Sequence, residues 1–120
     1  MNPKIITLCG STRFKAAFEE WNVRLTLGGA VVLSIVIPSH AYGLTWSEDE
    51  KKTFDAMHLA KIDMSEEIFV LDVGGYIGES TRREIAHAIE RGKKVRYLSR
   101  EFPGWAEEDC VYSRASAHAA

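Results

Sequence analysis

Cysteine is scarce in this chain, with Cys9 and Cys110 the two among 120 residues. That excludes a disulfide framework and the clustered thiols of a structural zinc module. Positive charge is not in surplus either. Fifteen Lys and Arg against 17 Asp and Glu leave a formal net charge of -2, so the broad basic footprint that duplex DNA or RNA binding requires is missing. No nucleic-acid polymer is expected as a partner, whereas a small anionic ligand remains compatible. No apolar run is long enough to span a bilayer, and residues 1–4 lead straight into a short apolar segment without the layout of a signal peptide. The expected setting is therefore the cytoplasm, away from membranes. His, Cys and carboxylate residues never fall at metal-ligand spacing, and the stretch Gly74-Gly75-Tyr76-Ile77-Gly78 lacks the lysine of a nucleoside-triphosphate loop. No metal and no cofactor are expected, and there are no repeats or low-complexity tracts.

What the chain does have is 46% hydrophobic residues over the length of one domain, enough for a real core. Residues 4–9 form a short β-branched run, with Cys9 reading as a buried thiol. Phe14, Ala17, Phe18, Trp21 and Leu25 then recur at helical spacing up to a stop at Gly28-Gly29. Residues 30–37 read as a strand buried on both faces and closed by Pro38. After an aromatic loop, Ser47 and Glu50 form a capping-box pattern that opens a second helix through Phe54, His58, Lys61 and Ile62. Residues 68–71 give a third strand. Thr81 and Glu84 repeat the capping-box spacing before a helix that ends at Gly92, and residues 95–98 give a fourth strand.

Strands alternating with helices imply an α/β fold with a parallel sheet. The expected architecture is a flavodoxin-like or Rossmann-like three-layer sandwich of four to five strands in the order 2-1-3-4. Residues 1–100 would form this domain and 101–120 a C-terminal extension frayed over its last residues. In that order the chain reverses across the sheet between the first and third strands. Ligands settle beyond the carboxyl ends of those strands, here the loops around Gly10 and between Asp72 and Thr81.

The first of these loops, Gly10-Ser11-Thr12-Arg13, has the makings of an anion cradle. Gly10 permits close backbone approach, Ser11 and Thr12 offer hydroxyls, the next helix adds uncapped N–H groups, and Arg13 adds a forked charge. The residues alone equally allow Ser11 or Thr12 to cap that helix with Arg13 in solvent. Tyr42 and Trp46 in the aromatic loop, with His40 beside them, could stack on a heterocycle, or Trp46 could anchor its loop to the core. His58 shares a helix face with Lys61 and reads either as a site residue or as a structural histidine.

At Gly10-Ser11-Thr12-Arg13, Asp72 and the segment Ser80-Thr81-Arg82-Arg83-Glu84-Ile85-Ala86-His87-Ala88 leading to Gly92-Lys93-Lys94-Val95, the chain resembles the nucleoside 2-deoxyribosyltransferase superfamily, which includes the 2'-deoxynucleoside 5'-monophosphate N-hydrolases. The likeness runs over about residues 4–99 in the order and spacing of elements. It implies an N-glycosidase that cleaves a (deoxy)nucleoside 5'-monophosphate or a nucleoside, by hydrolysis or base exchange. Glu84 would be the nucleophile that attacks C1' and forms a glycosyl-enzyme. It would sit in the first turn of its helix, held ionised by the macrodipole. Asp72 would lie near the base as a contact or proton shuttle, with Glu79 as a possible substitute because the spacing departs from the family pattern. Gly10, Ser11, Thr12, Arg13, Ser80 and Thr81 would hold the phosphate end, with Arg82 adding charge and His58 reaching in from the second helix. The residues alone also allow Glu84 to be the distal half of a capping box and Asp72 a loop cap. Two other classes of function are compatible with the pattern: a nucleotide-binding sensor without turnover, and a plain interaction module whose crevice is incidental. The resemblance further implies a homodimer or larger assembly, for which Phe102, Trp105 and Tyr112 supply apolar area, unless they pack on their own subunit.

Overall fold

The structure, a computed structural model, describes residues 2–37 and 45–113. Four strands, β1 (Ile5–Cys9), β2 (Val31–Leu33), β3 (Glu67–Val70) and β4 (Lys94–Tyr97), make one sheet ordered β2-β1-β3-β4. All three pairings are parallel, with Ile5 opposite Val31, Cys9 opposite Val70 and Val70 opposite Tyr97. The helices that return the chain are α1 (Lys15–Leu27), α2 (Glu48–Met64) and α3 (Glu79–Glu90), and a short α4 (Leu98–Glu101) follows the last strand. The α/β class and the 2-1-3-4 order are as expected from the sequence.

The period-two alternation of β1 divides the core. Ile6 and Leu8 join Ala17, Phe18 and Trp21 of α1, together with Phe69, Leu71 and Leu98, on one face. On the other face Cys9 joins Ile68, Val70, Ile62 and Ala88, with Leu59 of α2 and Ile85 of α3 against them. Thr7 is the polar member of β1 and is fully buried. Its hydroxyl reaches the Lys61 carbonyl at 3.1 Å and the Ser65 hydroxyl, fixing the C-terminal end of α2 to the sheet.

Two local readings change. The strand expected over residues 30–37 pairs only as Val31–Leu33, and Val31 is 43% exposed. Among the described residues β2 is an edge strand with no strand on its outer side to bury it, while Ile35 and Ile37 pack on the core outside any ladder. At the third helix, α3 starts at Glu79 with Gly78 as its N-cap, so Thr81 and Glu84 do not form a capping box. The capping box predicted at Ser47 is present, with Glu50 N–H donating to Ser47 Oγ at 3.1 Å and Ser47 N–H donating to Glu50 Oε1 at 2.8 Å.

The described part of the C-terminal extension folds onto its own subunit. Phe102 and Trp105 stand against Trp21 with ring centroids 4.8 and 5.8 Å away. Glu20, whose side chain is fully buried, accepts the amide N–H groups of Val111, Tyr112 and Ser113 at 2.9, 2.6 and 3.0 Å and the Arg24 guanidinium at 2.8 Å.

Candidate functional site

Beyond the carboxyl ends of β1 and β3 lies a cavity of about 480 Å³, lined by Gly10, Ser11, Thr12, Phe54, Asp55, His58, Lys61, Ser80, Thr81 and Glu84 among others. Its position follows from the strand order, because the connections from β1 and β3 leave the sheet in opposite directions and open a crevice there. Gly10 makes this approach possible. A Cβ at that position would stand 3.2 Å from the Leu71 carbonyl and 3.4 Å from the Phe18 ring, in a backbone conformation with φ of 157° that other residues rarely adopt.

The opposite wall is the start of α3. Gly78, Glu79, Ser80 and Thr81 all line the cavity, and among the described residues no side-chain cap is made at this helix end, so its first-turn N–H groups keep their capacity for an anion. Ser11 serves the other loop as a cap, its hydroxyl accepting the Arg13 N–H at 3.3 Å. Thr12 is exposed and Thr81 is buried. Ser80 accepts from Arg83 at 3.3 Å.

Glu84 stands in the second turn of α3, with its side chain 15% exposed. Its Oε1 is buried and has no hydrogen-bond partner among the described residues. Burial, followed by the nearby Asp55 carboxylate, raises its pKa to about 7, against the smaller pull of Cys9 and Arg83. The expectation of a carboxylate held ionised by the helix N-terminus is thus corrected. The dipole's effect fades beyond the first turn, and desolvation outweighs it.

Two further side chains converge on that carboxylate. His58 Nε2 is 3.6 Å from Glu84 Oε1 and 3.4 Å from Cys9 Sγ. Burial, with Lys61 adding repulsion, lowers the His58 pKa to about 4, so the ring is neutral near pH 7 and the contact with Glu84 is not an ion pair. Burial also pushes the Cys9 thiol well above its ordinary value, with Glu84 reinforcing the shift. Thiol and carboxylate both face the same ring nitrogen, while Nδ1 is buried without a partner among the described residues. A cysteine–histidine–acid relay needs the acid on the far nitrogen, so this is not that device.

Other predicted site residues lie elsewhere. Asp72 does not reach the cavity: its carboxylate accepts the Ser99 N–H at 2.9 Å and the Ser99 hydroxyl at 2.6 Å, and it lines a separate cleft with Gly75 and Trp105. Its strand-end position is as expected, but both oxygens are occupied by Ser99 of α4. Arg13 turns away as well, donating to the Tyr76 hydroxyl at 3.2 Å with its guanidinium 3.9 Å from the ring centre. Trp46 packs edge-on against Phe54 at 5.0 Å, supporting a cavity wall rather than lining the space. Tyr42 and His40 lie outside the described residues. Asp55 and Cys9 were not singled out from the sequence as site residues. Asp55 falls three residues before His58 on α2, a spacing that puts both on one helix face.

Neither a scan against protein-family models nor a search of curated proteins finds a match to this chain.

Proposed function

We propose that the protein is an N-glycosidase acting on a nucleoside 5'-monophosphate or a nucleoside, with Glu84 as the nucleophile. The observation that carries this reading is a desolvated carboxylate with an oxygen unpartnered among the described residues, at the wall of a nucleotide-sized cavity. Such a group gains most from a partner that becomes positive during reaction, and the anomeric carbon does so as the glycosidic bond breaks. Glu84 attacks C1', the base departs with the bond's electron pair and takes up a proton, and a glycosyl ester links sugar to enzyme. Water or a second base then resolves the ester.

The acidic end of the substrate meets the uncapped start of α3, the Ser80 and Thr12 hydroxyls, and Lys61, which also lines the cavity. Asp72 is left out of this mechanism because Ser99 holds its carboxylate. The residue pattern from Gly10 to Arg13 and from Ser80 to Ala88, with its resemblance to nucleoside 2-deoxyribosyltransferases, supports the same chemistry. A homodimer belongs to this proposal on the same ground.

Incubation with a panel of deoxynucleoside and ribonucleoside monophosphates should release free base. Glu84→Gln should abolish that release, by about 1,000-fold or more, while nucleotide binding persists. Undiminished release by the variant would remove Glu84 from the mechanism. A second reading, a nucleotide-binding sensor without turnover, gains from the loss of Asp72 as a proton source for the base. Saturable binding by calorimetry without base release would favour it.

A further inference from the structure

We propose that Cys9, His58 and Glu84 form a three-ligand site for a zinc-type divalent cation, with a fourth position open to the cavity. One ligand atom from each residue lies within 4.8 Å of the other two. A tetrahedral ion with Zn–S of about 2.3 Å and Zn–N and Zn–O of about 2.0 Å sets ligand atoms roughly 3.3–3.6 Å apart. The separations of 3.4 Å from Sγ to Nε2 and 3.6 Å from Nε2 to Oε1 match two edges of that tetrahedron. The set itself, one thiolate, one imidazole and one carboxylate, suits zinc and leaves a coordination position vacant, as reactive zinc sites do.

Cys9 and His58 share a hydrogen bond at 3.4 Å, and two facts show that Glu84 Oε1 still has room for a ligand. Glu84 Oε1 is buried without a hydrogen-bond partner among the described residues, and the His58–Glu84 separation is too long for a hydrogen bond. An ion would give Oε1 its missing partner. On binding, Cys9 loses its proton to solvent, and thiolate and carboxylate together balance the dication. His58 Nδ1 has no partner among the described residues to orient the ring, so the site lacks the supporting contact of a permanent structural centre and exchanges its ion. Glu84 cannot ligate a metal and attack a sugar at once, so occupancy switches the proposed glycosidase off.

Cobalt(II) titrated into the metal-free protein tests the site without turnover. The expected result is one equivalent bound with a thiolate-to-cobalt charge-transfer absorption that zinc bleaches. Cys110→Ser should retain the absorption, Cys9→Ser should lose it, and His58→Gln should weaken zinc binding by about 100-fold or more. Absence of the absorption in the wild type, or its retention at full affinity in His58→Gln, overturns the proposal. The wild-type spectrum decides the matter even where a variant does not fold. Its failure leaves the glycosidase reading standing, and absence of base release leaves the metal site standing.

Discussion

Glu84 differs from an ordinary surface glutamate in what surrounds its carboxylate: an apolar wall, a neutral imidazole, and the charge of Asp55 within range. Desolvation at that wall and, after it, the Asp55 charge make the ionised form more costly. With a pKa near 7 in place of 4.5, the group is protonated over part of the range where it would be ionised in the unfolded chain. The folded state then binds the extra proton, so Glu84's contribution to stability declines as pH rises from 4.5 through 7. For catalysis the same shift sets an acid limb. If the ionised carboxylate attacks, kcat/KM for base release rises with pH through about 7. Asp55→Asn removes a negative neighbour, lowers the Glu84 pKa and moves the limb to lower pH, raising activity at mildly acidic pH by roughly a few-fold. A pH–rate profile of both proteins checks this, and a limb unmoved by the substitution would deny Asp55 its influence.

At the scale of elements, the cavity depends on two chain reversals that bring the loop after β1 and the start of α3 together. Gly10 is the tightest point of the first. Gly10→Ala should displace the loop from Leu71 and destabilise the protein by about 1–3 kcal/mol, read as a fall in the denaturation midpoint with loss of nucleotide binding. An unchanged midpoint would mean that the loop yields freely. The strand order was legible because alternating apolar runs and helical periods leave few topologies for so short a chain. Cap positions were less so: Thr81 and Glu84 carry capping-box spacing, yet the helix begins earlier, at Glu79, with Gly78 as an N-cap that carries no side-chain signal. The same limit governed the site. Glu84 and His58 could be singled out by residue type and pattern, whereas Cys9 becomes their neighbour only when β1, α2 and α3 pack together. Asp72 was legible as a strand-end acid, but its partner Ser99 is 27 positions away along the chain.

For the whole molecule, the C-terminal segment is a strap over α1, its last described residues held by the buried Glu20 carboxylate, with Glu107 accepting the Ala17 N–H at 3.1 Å and the Ser113 hydroxyl donating to Glu19 at 3.1 Å. Burial alone would raise the Glu20 pKa, but the amides of residues 111–113 and the Arg24 guanidinium outweigh it and lower the value. The strap's stability is therefore present above the ordinary carboxylate range and lost as pH falls through the lowered value. Glu20→Ala should cost about 1–3 kcal/mol and expose the segment to proteolysis; resistance equal to wild type would show that the remaining contacts, the packing of Trp105 and Phe102 among them, hold it without Glu20. The central claim concerns what happens in the cavity between the loop after β1 and the start of α3. The direct measurement is mass spectrometry of the protein incubated with a 2'-fluoro-2'-deoxynucleoside 5'-monophosphate, which slows breakdown of a glycosyl-enzyme. A single sugar-phosphate adduct mapped to Glu84 is the predicted result, and base release accompanied by an adduct on another residue, or by none, would contradict the account.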